Sequence, residues 1–138
     1  MSIIDRARSW NAHDPNPHTR RELEALIDSG DIKALKDRFQ GELQYGTAGL
    51  RGLKGAGPTR MSRVTVARAT SGICAWLKQQ VPVVVSRGIC VGRDARLHID
   101  VFERDVIEVV AGAGFPGWTF SDVVPKPVVA FAVLELSA

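Results

Sequence analysis

The chain has 138 residues, of which 45% are hydrophobic, enough to bury the core of one ordinary globular domain. No apolar stretch approaches the roughly 20 residues of a membrane-spanning helix. The N-terminal sequence "MSIIDRARSW" has charged residues where a signal peptide is apolar, so we expect a cytoplasmic protein without membrane contact. The net charge of +3 is spread along the chain, whereas nucleic-acid binding requires a concentrated basic surface, so we expect no nucleic-acid partner.

The cysteines and histidines do not form a recognisable metal-binding pattern. Cys74 and Cys90 lie in apolar segments and lack the C-x-x-C spacing of metal or redox pairs. His13, His18 and His98 are scattered through polar sequence without ligand spacing. We therefore expect two small buried thiols and no metal site.

Residues 1–41 are predicted to form a helical N-terminal extension. After several prolines, Thr19 is followed three residues later by Glu22, the spacing of a capping box at a helix N-terminus. Gly30 is predicted to end this helix, and Asp31 to cap a second, short one.

The stretch "YGTAGLRG", Tyr45 to Gly52, combines conformational freedom with a charged side chain. Glycine permits positive φ and close approach of other groups, and arginine offers a planar, permanently charged fork for phosphate or carboxylate. One interpretation is a tight turn between two strands with the arginine facing water. The other is an anion site, built from the candidate residues Gly46, Thr47, Gly49, Arg51 and Gly52.

Helical and strand patterns alternate in the rest of the chain. Residues 63–80 and 101–113 show the spacing of amphipathic helices, and residues 89–94 and 117–122 that of short buried strands. Residues 128–136 fit a helix or a strand equally well. This alternation predicts an α/β fold with helices packed on a sheet.

A second group of charged residues follows the first of these strands. In "CVGRDAR", Arg93, Asp94 and Arg96 stand at the end of a predicted parallel strand, where open α/β sheets place their ligand crevices. The alternative is a solvated network of aspartate and arginine that holds a loop together.

Three separated stretches together resemble the first domain of the α-D-phosphohexomutases, the family of phosphoglucomutases, phosphomannomutases and phosphopentomutases. "YGTAGLRG" resembles F-G-T-[AS]-G-[LI]-R-G, "VGRDAR" resembles V-G-x-D-[TA]-R, and "SDVVPKPVVAFAVLEL" resembles the T-P-x-P segment with its apolar continuation. "WNAHDPNPHTRRELEAL" is also similar to the N-terminal segment of the phosphopentomutase-like branch. The order and spacing of the stretches agree with the family.

The resemblance implies a three-layer α/β domain I, with a mixed sheet between helices, over residues 42–138. It implies an isomerase of carbohydrate metabolism that moves a phosphoryl group between two hydroxyls of a hexose or pentose phosphate. The family uses a phosphoserine, Mg²⁺ and an activating sugar bisphosphate. By motif position, Arg51 contacts phosphate, the loop from Gly46 to Gly52 presents it, and Arg93, Asp94 and Arg96 are supporting residues.

The sequence departs from the family by what it lacks. Neither the serine motif T-A-S-H-N-P nor the metal loop D-G-D-G-D occurs in the 138 residues. We therefore expect an N-terminal fragment of a phosphosugar mutase without metal ligands and inactive alone. The alternative is a non-catalytic module that binds phosphate or a protein. The sugar is not predicted.

The resemblance also predicts self-association. In the family the serine motif follows a further strand of the sheet, and its absence would leave a neighbouring strand unpaired. An unpaired edge invites association between chains. Residues 81–86, "VPVVVS", add a second β-prone stretch without charge.

Overall fold

The structure is a computed structural model that describes residues 1–138. The chain divides into two compact units, Met1–Thr65 and Val66–Ala138, which are described separately below. The elements in chain order are α1 (Ile3–His13), α2 (Pro17–Asp28), α3 (Ile32–Phe39), β1 (Tyr45–Gly46), β2 (Gly49–Leu50), α4 (Arg63–Gln80), α5 (Val84–Arg87), β3 (Ile89–Val91), α6 (Ile99–Gly112), β4 (Gly117–Thr119) and α7 (Lys126–Leu136). None of the helices is both long and apolar enough to cross a bilayer.

Helix α1 begins with a capping box. The Ser2 hydroxyl oxygen accepts a hydrogen bond from the Asp5 amide at 3.1 Å, and the Asp5 carboxylate accepts one from the Ser2 amide at 3.0 Å. The bond from the Ser2 hydroxyl to the same carboxylate, at 2.7 Å, holds the pKa of Asp5 below its usual range. These bonds satisfy amide groups that the first turn of a helix leaves without partners.

The predicted start of α2 is wrong. The N-cap is Asn16, whose side chain accepts a hydrogen bond from the His18 amide at 2.9 Å. Pro17 is suited to the first helical position because its φ is fixed and it has no N–H to satisfy, so the helix begins earlier than the capping-box spacing suggests. Thr19 is instead buried, and its hydroxyl donates to the Asp14 carboxylate at 2.6 Å.

The predicted break between α2 and α3 is confirmed. Gly30 adopts a φ of +67°, the left-handed conformation that ends many helices. Asp31 then caps α3, because its carboxylate accepts a hydrogen bond from the Ala34 amide at 2.9 Å. Two adjacent residues thus end one helix and begin the next.

The first unit has its own hydrophobic core. All three helices and the loop after β2 contribute to it, and its buried members are Ala7, Leu23, Leu35, Phe39 and Ala56. Trp10 packs edge-on against Phe39, with 6.1 Å between the ring centroids. Ala56 brings the loop after β2 into contact with the helical core.

The second unit has a separate core around Cys74, Val110 and Phe115. Burial raises the pKa of the Cys74 thiol, as expected for a buried structural cysteine. The expectation of a single core is therefore wrong. The buried apolar residues of the two units form two separate clusters, one within Met1–Thr65 and the other within Val66–Ala138.

The α/β class is confirmed. Strands β1 and β2 form an antiparallel pair, β3 and β4 a parallel pair, and each pair is a separate two-stranded sheet rather than part of one mixed sheet. Helices α6 and α7 both pack against β3. The strands are only two or three residues long, and β3 and β4 are shorter than the strands predicted at 89–94 and 117–122.

Two β-prone segments are helical. The undecided segment 128–136 lies in α7, where a proline occupies the first helical turn. Residues 81–86 contain no strand, since their backbone forms tight turns, such as Val84 N–H to the Val81 carbonyl at 2.9 Å, and enters the short helix α5. The predicted β-prone stretch therefore forms no strand in this structure.

Replacing Leu35 by alanine should strongly destabilise the first unit. Leu35 is completely buried, and its truncation leaves a cavity, so we expect a loss of about 2–5 kcal/mol in the free energy of unfolding. Leu53 is 71% exposed, and Leu53→Ala should change it by less than about 0.5 kcal/mol. Urea unfolding of both variants tests this, and equal effects would contradict the assignment of the core.

Candidate functional site

The stretch from Tyr45 to Gly52 forms a β-hairpin. Tyr45 lies opposite Leu50 and Gly46 opposite Gly49, with Thr47 and Ala48 at the turn. Gly49 has a φ of +92°, whereas neither turn residue has a positive φ. This pattern is produced by a type I turn followed by a glycine bulge.

One glycine of the hairpin is required by its backbone conformation, and a second lies close to a neighbouring side chain. Gly49 adopts a backbone conformation that other residues avoid. A Cβ on Gly52 would lie 2.4 Å from a methyl carbon of Leu43. At Gly46 a Cβ would meet only the Gly49 carbonyl oxygen, at 3.8 Å. The turn interpretation therefore accounts for Gly49 without a ligand, whereas at Gly52 a Cβ would require only the end of the Leu43 side chain to shift.

The hairpin is anchored at both ends by backbone hydrogen bonds. On the N-terminal side, the Leu43 amide donates to the Pro58 carbonyl at 3.1 Å. On the C-terminal side, the Met61 amide donates to the Leu53 carbonyl at 2.8 Å, and the Gly55 amide donates to the Met61 carbonyl at 3.3 Å. Residues 43–61 therefore form a closed loop from which the hairpin extends.

Glu22 and Arg38 fix this loop to the helices. A carboxylate oxygen of Glu22 pairs with Arg38 Nη2 at 2.9 Å, and the other accepts a hydrogen bond from the Ala56 amide at 3.2 Å. Arg38 Nη1 donates to the Ala56 carbonyl at 3.4 Å. Gly57 lies directly on α3, since a Cβ there would be 2.9 Å from the Arg38 carbonyl oxygen. We call Glu22, Arg38 and the backbone of Ala56 the loop clamp.

Arg51 is exposed and has no hydrogen-bond or ion-pair partner among residues 1–138. Two other arginines of the first unit are paired: Arg38 belongs to the loop clamp, and Arg60 pairs with Asp37. Arg6, Arg20 and Arg21, on the helices, are exposed without a partner, as Arg51 is. An unpartnered guanidinium beside an anchored hairpin keeps all its N–H donors available to an anion. Thr47, at the turn of the same hairpin, is also exposed.

Arg93, Asp94 and Arg96 lie in the second unit, and both arginines have intrachain partners. Arg93 Nε pairs with a carboxylate oxygen of Glu103 on α6 at 2.9 Å. Arg96 Nε lies 2.9 Å from each carboxylate oxygen of Asp94. Hydrogen bonds from the Arg96 side chain and amide hold the pKa of Asp94 below its usual range, and the same pair raises the pKa of Arg96. These ion pairs agree with the alternative interpretation of this segment, a network of aspartate and arginine that holds a loop together.

Sequence reasoning missed three residues that organise these loops. Glu22 was interpreted as part of a helix cap, and the loop residue it contacts is 34 positions away. Arg38 belongs to no motif that would have indicated its role. Glu103 lies in the segment 101–113, which was predicted only as an amphipathic helix, although its ion pair with Arg93 joins α6 to the loop after β3.

The described residues do not fit the Mg²⁺ that the family resemblance implies. A magnesium site is built from oxygen ligands, chiefly carboxylates, around one point. No group of three or more histidine, cysteine, aspartate or glutamate side chains in residues 1–138 is placed to hold a metal ion.

Comparison with known proteins confirms the resemblance. Residues 42–138 match the family profile described as phosphoglucomutase/phosphomannomutase, alpha/beta/alpha domain I. No solved structure matches the chain. The boundary at residue 42 between the helical extension and the family domain remains a prediction.

Several curated proteins are similar over most of this chain. It is 34% identical to a phosphopentomutase of Mus musculus over 133 residues, which are 92% of this chain and 22% of that protein. Over 135 residues it is 33% identical to the glucose 1,6-bisphosphate synthase of Mus musculus and 36% identical to the phosphoribomutase of Saccharomyces cerevisiae, each time over 94% of this chain. The chain spans about a fifth of the length of these relatives, 22% and 21% for the last two. It belongs to the phosphoglucomutase/phosphomannomutase family, whose domain I it matches.

Proposed function

We propose that this chain is the phosphate-binding N-terminal part of a phosphosugar mutase, and that Arg51 binds the phosphate group of the sugar. The observation that carries the proposal is the unpartnered guanidinium of Arg51 beside an anchored hairpin. Arginine binds phosphate through two parallel N–H···O bonds, which fix the orientation of the anion as well as neutralise its charge. Binding would not first have to break an internal ion pair.

The hairpin supplies neutral groups beside this charge. Thr47 presents a hydroxyl at the turn, and Gly46, Gly49 and Gly52 leave the backbone accessible. Backbone and hydroxyl donors can complement a guanidinium around phosphate oxygens. We assign these four residues to positioning the anion next to Arg51.

The second group of charged residues has a supporting role in this proposal. Arg93 and Arg96 are already paired with Glu103 and Asp94. An arginine that is held by a carboxylate neutralises less of an incoming phosphate charge, because its partner remains negative. We therefore assign Arg93, Asp94 and Arg96 to shaping the loop after β3.

The names of the relatives support a pentose or hexose phosphate as the substrate class. Two are a phosphopentomutase and a phosphoribomutase, and the third is a glucose 1,6-bisphosphate synthase. The family chemistry moves a phosphoryl group within the sugar through a sugar bisphosphate, which supports the bisphosphate as activator. We propose the cytoplasm as the compartment, which is consistent with two cysteines that form no disulfide.

Phosphate binding and phosphoryl transfer need different groups. Arg51 can neutralise charge on a phosphoryl group in the transition state. It cannot accept that group, because covalent transfer needs a nucleophile such as serine. The family's T-A-S-H-N-P motif does not occur in residues 1–138, so we propose that these residues bind the sugar phosphate without transferring its phosphoryl group.

Replacing Arg51 should remove most of the affinity for ribose 5-phosphate and glucose 1-phosphate. A hydrogen bond to a charged group contributes about 1.5–3 kcal/mol, so Arg51→Ala should weaken binding by roughly 10- to 100-fold in titration calorimetry. Arg51→Lys keeps the charge but loses the planar fork, and should lie between Arg51→Ala and the unaltered chain.

The matched control is Arg21→Ala. It removes the same charge from an exposed position on α2 of the same unit, and binding should be unchanged. Equal affinity of the unaltered chain and Arg51→Ala would contradict the proposed site. Equal losses in Arg21→Ala and Arg51→Ala would mean that the affinity depends only on net charge.

The 138 residues by themselves should not interconvert sugar phosphates. We expect no turnover of glucose 1-phosphate or ribose 1-phosphate above the blank, with Mg²⁺ and the matching bisphosphate present, because no nucleophilic serine motif is available. A coupled assay for the 6- or 5-phosphate product measures this. Turnover at constant specific activity through successive purification steps would contradict it.

A further inference from the structure

Strand β4 lies at an open edge of its sheet. It pairs only with β3, and all three of its residues, Gly117, Trp118 and Thr119, are exposed, whereas the residues of β3 are half-buried. Helices α6 and α7 both pack against β3, whereas β4 packs against β3 and α6. The more accessible edge of this sheet is therefore the outer side of β4.

The register determines which backbone groups point outward. Cys90 pairs with Trp118, and the Ile89 amide donates to the Pro116 carbonyl at 2.9 Å. In a parallel ladder with this register, the N–H and C=O of Trp118 point towards β3. Those of Gly117 and Thr119 therefore point away from β3, and neither residue has a hydrogen bond in the structure.

The sequence around this edge lacks the features that prevent pairing between chains. Proteins protect edge strands with charged side chains, especially lysine, and with prolines or bulges within the strand. No charged residue lies between Glu108 and Asp122, and Pro116 precedes the strand without interrupting it. A second copy of the same strand would meet no charged side chain from the strand itself. Arg87 contacts Trp118 through its backbone, where its carbonyl oxygen accepts a hydrogen bond from Trp118 Nε1 at 3.4 Å.

We propose that β4 pairs with β4 of a second copy of this chain, antiparallel and across a two-fold axis at Trp118. Gly117 of each copy then lies opposite Thr119 of the other, and each of these pairs exchanges two N–H···O bonds. The two Trp118 residues form the close, non-hydrogen-bonded pair between them, where aromatic side chains on opposite strands stabilise a sheet. The result is a four-stranded sheet across two copies.

This arrangement favours a second copy over an unrelated strand because the edge is complementary to itself. The groups of Gly117 and Thr119 are equally spaced on either side of Trp118, so the two-fold operation satisfies all of them at once. Three residues a strand form a small interface, so we expect a weak dimer, with a dissociation constant of about 10⁻⁴ M. The pairing does not depend on the proposed phosphate site.

Sedimentation equilibrium between about 10 and 500 µM, the range that brackets such a constant, should show a monomer–dimer equilibrium. Thr119→Pro removes the outward N–H and leaves the β3–β4 ladder bonds in place, so it should weaken dimerisation at least tenfold. Thr119→Lys should weaken it through charge at the edge. Thr119→Val keeps the N–H and a similar shape, and should dimerise as the unaltered chain does.

Amide hydrogen exchange at low and high protein concentration identifies the paired edge. Exchange at Gly117 and Thr119 should slow as the concentration rises, while exchange at Cys90, whose amide points to the other edge of the sheet, should not change. A monomer at every concentration would overturn the proposal. So would concentration-dependent protection at Cys90 alone, or dimerisation of Thr119→Pro and Thr119→Lys as strong as that of Thr119→Val.

Discussion

The loop clamp is the interaction on which the candidate site depends. Glu22 binds the guanidinium of Arg38 with one oxygen and the amide of Ala56 with the other, while Ala56 itself is buried among the helices. A buried amide without a partner would cost about 1–3 kcal/mol, so the carboxylate and the buried methyl group favour the same loop position. Because residues 43–61 form one closed loop, fixing Ala56 also fixes the base of the hairpin that bears Arg51.

Some arginines of the chain are paired with a carboxylate, and others have no partner. Arg38 and Arg93 are each paired with a carboxylate on a helix, and both serve to attach a loop. Arg51 has no such partner. Partnered arginines stabilise the structure, whereas an unpartnered arginine on a fixed loop retains its full charge for a ligand. Arg6, Arg20 and Arg21 are also unpartnered, so the position of Arg51 beside the anchored hairpin is what supports the proposed phosphate site.

Local signals predicted local structure well. Gly30 and Asp31 were recognised because a helix end and the next cap depend only on adjacent residues, and the phosphohexomutase resemblance rested on three stretches in the right order. Thr19 was misassigned because Pro17 begins the helix earlier. Glu103 could not be recognised, since its partner depends on how α6 packs beside the loop after β3. The predicted strands were also longer than the observed ones, because the length of a strand depends on which other strand it pairs with, and periodicity alone does not reveal that partner.

Hydrogen exchange at the Ala56 amide tests most directly whether the loop clamp positions the site. In the unaltered chain we expect this amide to be protected, and in Glu22→Gln to exchange at least tenfold faster, because a neutral amide oxygen is a weaker acceptor and the pair with Arg38 is lost. Amides in the interior of α1 should keep their protection, which shows that the helices remain folded. Equal exchange at Ala56 in both proteins would contradict the account.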